Sequence, residues 1–136
     1  MVDWMELNEI AYVVKSGKDM EGTMSAALAS VERHGWAVFN IYDIRERLAS
    51  KGFAHSPIKI IEICSARHAN TVLTKNVLSS LCLPCKIAVL GGENGVEIAA
   101  LLPTVVSMMI PGISKDDMKA AEQEMVAIVD GALSGR

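Results

Sequence analysis

The sequence predicts a two-layer α/β (α+β) sandwich, a largely antiparallel sheet with long helices on one face. Three observations point there. Short apolar runs of β-branched residues alternate with segments of helical period, Gly91-Gly92-Glu93-Asn94-Gly95 joins two such runs as a hairpin, and two segments carry apolar stripes long enough to cover a sheet. The 136 residues suit one domain, 1–136, with one core, and we find no repeat, low-complexity segment or linker.

Asn8 to Val14 reads as the first strand. Ser16 and Asp19 then have capping-box spacing before a helix whose apolar positions are Met20, Met24, Ala27, Leu28 and Val31. Arg33 and His34 place cations at the negative end of its dipole, and Gly35 stops it. Trp36 to Tyr42 alternates as a strand, and Asp43 with Glu46 opens a short helix closed by Gly52. Ile58 to Cys64 is the third strand, and Ser65 caps a helix over roughly Ala66 to Leu73. Lys86 to Leu90 and Val96 to Leu101 form the hairpin around the Asn-Gly pair. Ser114 with Asp117 opens the last helix, striped by Met118, Ala121, Met125, Val129 and Ala132. The uncovered sheet face is expected to interleave Lys59, Lys86 and Glu97 with Ile61, Ala88 and Ala99. Such a half-apolar surface suits a homodimer.

Composition narrows the function classes. Apolar residues make up 51% and charged residues 21%, which argues against disorder and leaves apolar surface for a partner. The eight methionines read as core filling. A net charge of −3 with dispersed Lys and Arg leaves no footprint for nucleic acid. Met1 to Glu9 lacks the pattern of a signal peptide, and Ile98 to Ile113 is interrupted by Pro103, Thr104, Ser107 and Pro111, so a cytoplasmic protein without a membrane span is expected. In that compartment an odd count of three cysteines means free thiols, ligands or redox groups.

Two motifs carry chemistry. Cys64-x3-His68 and Cys82-x2-Cys85 together hold three sulfurs and an imidazole, a set that could close a tetrahedral site for a soft metal ion such as zinc. A parallel strand after the helix would separate Cys64 from Cys85 and forbid that site, whereas a returning chain would permit it. Cys64 leads into a helix whose free amides lower a thiol pKa, so it is expected to react fastest, with Glu62 two residues before it as a proton acceptor. Cys82-Leu83-Pro84-Cys85 has the spacing of a redox dithiol but opens a strand, without the helix that activates such pairs. His34 and His55 read as capping or exposed residues, and the glycine-rich segment as a turn without a phosphate-binding helix.

Phe39-Asn40-Ile41-Tyr42-Asp43-Ile44, Lys59-Ile60-Ile61-Glu62-Ile63-Cys64 with Ala69 and Leu73, and Leu81-Cys82-Leu83-Pro84-Cys85-Lys86-Ile87-Ala88-Val89 carry a resemblance. On them the chain, over Trp36 to Leu101, resembles the bacterial and archaeal domain-of-unknown-function family 302. The resemblance implies a compact sandwich of the TATA-binding-protein type, often dimeric, and no activity. The family pattern has Asn-Pro where this chain has Ser65-Ala66 and Leu-Leu-Pro-Cys at the second motif, so Cys82 and His68 are additions. Three functions follow as expectations. The first is a non-catalytic homo-oligomeric module that binds a soft metal ion or sulfur-containing ligand, the second a sulfur carrier or reductase acting through Cys64 or Cys85, and the third an interaction protein with inert cysteines.

Overall fold

A computed structural model describes residues 10–134. Five strands form one sheet in the order β1-β5-β4-β3-β2, with every neighbouring pair antiparallel. The strands are β1 (Ala11–Ser16), β2 (Ala37–Asp43), β3 (Ile58–Cys64), β4 (Cys85–Gly92) and β5 (Gly95–Leu101). The helices are α1 (Met20–Arg33), α2 (Ile44–Ala49), α3 (Ala66–Lys75), α4 (Val105–Met109) and α5 (Lys119–Ser134), with 3-10 turns at Val77–Cys82 and Asp116–Met118. The expected sandwich is therefore present.

Local chemistry sets most boundaries. Asp43 Oδ1 accepts from the Glu46 amide and Ser65 Oγ from the His68 amide, as the spacing predicts. Ser114 and Asp117 cap one another reciprocally, although a 3-10 turn precedes α5. One cap differs. Asp19 is the N-cap of α1 and accepts from Gly22 N at 2.8 Å, while Ser16 stays in β1 and pairs with the Thr23 hydroxyl at 2.7 Å. Asn8 and Glu9, the start of the expected first strand, lie outside the described residues. Trp36 precedes β2, and sequence reasoning missed α4 and the 3-10 turn at Val77–Cys82. Both elements are short, and the prolines and polar residues around them mask a helical period.

Helices α1 and α5 cover one sheet face. Met24, Ala27 and Val31 from α1 and Met125, Ile128 and Val129 from α5 bury against Ile61, Ile63, Ile87, Val89, Ile98 and Ala100. The two helices approach closely at Ser30, which is fully buried and donates to the Ile128 carbonyl at 2.6 Å. A smaller core of Val72, Val106, Ile110, Ile113, Met118 and Ala121 joins α3, α4 and the start of α5. One domain with a main core and a satellite is common.

The pairing register corrects the expected open face. Residues opposite one another in an antiparallel ladder share a face. Ile61 pairs with Ile87 and Lys59 with Val89, which puts both on the helix-covered side, and Ile61 is fully buried. The uncovered side carries Val13, Lys15, Ile60, Glu62, Lys86, Ala88, Leu90, Glu97 and Ala99. Thus Lys86, Ala88, Glu97 and Ala99 are where the alternation places them, whereas β3 is read one residue out of phase.

Candidate functional site

Antiparallel pairing of β3 with β4 decides the geometry of the thiols. Cys85 lies opposite Ile63, so Cys64 and Cys85 fall at the same end of neighbouring strands. The separation that a parallel strand would impose does not arise. Both line a small, partly enclosed cavity of about 20 Å³, together with Trp36, His68, Leu83 and Met118. That volume holds about one water-sized guest.

A buried-edge polar cluster sits beside it. Glu124, from the first half of α5, accepts from the Trp36 indole N–H at 3.1 Å and from Arg67 Nη2 at 3.1 Å, and its Oε2 pairs with His68 Nε2. The His68 ring also stands 5.8 Å from the Trp36 ring, tilted by 49°. Burial raises the Glu124 pKa, but the bonds from Trp36 and His68 and the charge of Arg67 outweigh it and hold the carboxyl below its usual range. Sequence reasoning passed over Glu124, which lies 56 residues beyond His68 in the chain. Its position on the α5 surface offers no spacing signal.

The expected four-ligand metal site is not assembled. Among the described residues no group of three or more His, Cys, Asp or Glu side chains is placed to hold a metal ion. Cys64, His68, Cys82 and Cys85 therefore do not form the tetrahedral set suggested by their spacing, because His68 turns its Nε2 to Glu124 and Cys82 packs into the satellite core. Glu62 is likewise engaged elsewhere. It accepts from Tyr42 Oη at 2.7 Å and stands 3.9 Å from Lys86 Nζ, on the face opposite Ile61 and Ile63.

Burial, not the helix terminus, governs Cys64. It pushes the Cys64 thiol up, so the expected activation is reversed. Cys85 is pushed up to about 11, by burial first and then by the neighbouring Cys64. Both are neutral thiols near pH 7. His34 Nδ1 contacts the Ser30 carbonyl at 2.8 Å at the end of α1, and His55 is exposed in the loop before β3.

On the other side of Cys85 an apolar groove of about 230 Å³ opens to solvent. Leu81, Cys82, Pro84, Leu101, Val105 and Met109 form its walls, and Lys86 contributes a cation. Leu81 and Met109 are 79% and 65% exposed, so the groove lips are apolar as well. A wider cleft of about 460 Å³ over Thr104, Lys115, Asp116, Lys119 and Glu122 has balanced charges and no thiol.

The model of the family described as "Domain of unknown function DUF302" matches residues 12–132. The chain belongs to the DUF302 family. The crystal structure of the uncharacterized conserved protein DUF302 from Bacillus stearothermophilus is similar to it, with a TM-score of 0.83 and 27% identity over 90% of this chain and 98% of that one. No curated protein matches. The DUF302 match extends on both sides of the Trp36 to Leu101 segment that carries the resemblance in sequence, and it includes α1 and most of α5. No helix among the described residues is long and apolar enough to cross a membrane.

Proposed function

We propose that this DUF302 chain is a non-catalytic, homodimeric binding module whose ligand lies in the apolar groove walled by Cys82 and Cys85. The groove itself carries the reading, because it is a concave apolar site with few polar groups, the usual form of a small-ligand pocket. Sulfur side chains on an apolar wall, with the Cys85 thiol held neutral by burial, favour a soft, weakly hydrated ligand with an apolar or sulfur-bearing body. Lys86 on the rim suits a single anionic group. The raised thiol pKa values disfavour a sulfur carrier or reductase, which needs thiolate at neutral pH.

A second copy would cover the open sheet face. Lys15, Lys86, Glu62 and Glu97 lie there among Val13, Ile60, Ala88, Leu90 and Ala99, a balanced set of charges that a two-fold pairing can match.

Anilinonaphthalene sulfonate, apolar rings bearing one sulfonate, is a suitable probe of the groove. Saturable binding to the folded protein is expected, weakened roughly tenfold, or about 1.4 kcal/mol, by Leu101→Glu or Met109→Glu. Both positions are exposed, which protects the fold. Binding that is absent, or indifferent to both substitutions, overturns the reading.

A further inference from the structure

The apolar groove lies where the amino-terminal part of the chain joins the sheet. Leu102 N donates to the Ile10 carbonyl at 2.7 Å, one step beyond the pairing of Ala11 with Leu101. Leu101 and Leu102 are themselves groove wall. Residues 1–9 therefore meet the sheet at the groove rim. The far wall, at Lys86 on β4, is two strands from β1, about 10 Å at the usual spacing. Nine extended residues span up to about 30 Å, so reach is not limiting.

The composition of this segment complements the groove. Met1-Val2-Asp3-Trp4-Met5-Glu6-Leu7-Asn8-Glu9 contains three carboxylates, no Lys or Arg, and the large apolar side chains of Trp4, Met5 and Leu7. Without Asp3, Glu6 and Glu9 the rest of the chain has as many acidic as basic residues, so the formal charge of −3 is concentrated here. In the groove Leu81, Leu101 and Met109 are 79%, 48% and 65% exposed, an apolar surface of the kind that marks an interaction site. Lys86 is the charged residue of the lining. Its ammonium stands 3.9 Å from Glu62 and is half-exposed, which leaves donors for a second carboxylate.

We propose that residues 1–9 dock into the groove of their own chain, with their apolar side chains on the Leu81, Leu101 and Met109 walls and their carboxylates toward Lys86. The docking stands on the groove lining and on the position of Ile10. Its consequence, competition with the groove ligand, rests on the reading of that groove as the ligand site. A segment tethered so closely has an effective concentration on the order of 1 mM. Contacts with an intrinsic dissociation constant of about 0.1 mM then fill the groove roughly nine-tenths of the time, and a competing ligand binds about tenfold more weakly.

Acrylamide quenching of tryptophan fluorescence in the full chain tests the docking. Trp36 is 5% exposed, and the difference between the unsubstituted chain and Trp4→Phe isolates the signal of Trp4. Trp4 should be shielded, and Leu101→Glu and Met109→Glu, at exposed positions, should each unshield it. Quenching of Trp4 as free as that of N-acetyltryptophanamide, or shielding that survives both substitutions, overturns the docking. Shielding that falls away on dilution assigns the groove to the segment of a second copy and overturns docking within one chain. Trp4→Ser combined with Leu7→Ser should bind anilinonaphthalene sulfonate about tenfold more tightly than the unsubstituted chain, and equal affinity overturns the competition. If the probe binds neither protein, the ligand reading of the groove fails alone, and shielding of Trp4 that both groove substitutions relieve still upholds the docking.

Discussion

Cys64 stands at the end of β3, one residue before the Ser65 N-cap of α3, where a helix dipole and burial act on it in opposite senses. Burial wins, since removal of the thiol from water disfavours its charged form and raises its pKa. In timed iodoacetamide labelling near pH 7.5, neither Cys64 nor Cys85 should label faster than the same thiols in the unfolded chain, and Cys85 should label slowest. Fast labelling of Cys64 would contradict the burial argument. The linkage for Cys85 has a definite sign. Its folded pKa of about 11 lies above the ordinary thiol value of about 8.5, so its contribution to stability is complete below about pH 8.5 and is lost as pH rises toward 11. Thermal melts across that range should show Tm falling, less steeply in Cys85→Ala. Asp117 behaves conversely. Held at about 2 by Lys75 and by its bonds with Ser114, it contributes fully above about pH 3.9, a contribution lost as pH falls toward 2. Asp117→Asn should flatten the acid limb of a Tm profile between those values, and an unchanged limb would remove Asp117 as its source.

At the scale of elements, the contact of α1 with α5 depends on a missing side chain. A Cβ built on Gly131 would lie 2.5 Å from Ser30 Oγ, and Ser30 is itself fully buried and bonded to the Ile128 carbonyl. Alanine is the better helix former by about 1 kcal/mol. The clash should nevertheless prevail, so Gly131→Ala is expected to destabilise the fold by about 1–3 kcal/mol in urea denaturation. Ser30→Gly in the Gly131→Ala background should recover part of that loss if the hydroxyl is the obstacle. The edge helix α2 differs from this pair. It buries no residue, and its place after β2 rests on the Asp43 cap and the Gly52 stop, where φ is +87°.

For the whole molecule, the asymmetry between the two sheet faces matters most. One face is sealed by α1 and α5, while the other has Val13, Ile60, Ala88, Leu90 and Ala99 in partial contact with solvent. Removing those groups from water would favour the proposed pairing with a second copy. Sedimentation equilibrium at roughly tens of micromolar should find a dimer, and Ala99→Glu, at the middle of that face, should shift it to monomer. A wild-type protein that sediments only as monomer would refute the assembly.

Capping and period are local, which is why so much of the architecture is legible in the amino-acid sequence. Asp43 with Glu46, Ser65 before α3, the third strand from Ile58 to Cys64 and the Asn94-Gly95 turn each depend on residues within about four positions of one another. The family is legible too, from the strand and cysteine motifs between Trp36 and Leu101. The site is not, since its members meet only through the fold. Cys64 and Cys85 adjoin because β4 returns antiparallel to β3, and Glu124 reaches His68 and Trp36 from 56 and 88 residues away. Phase is the other loss: alternation shows that β3 has two faces, but only its pairing with β4 shows that Ile61, not Ile60, is buried beneath the helices. Short-range hydrogen bonding and period are written in neighbouring residues, whereas burial, pKa and the company a side chain keeps are set by distant segments that the fold brings together.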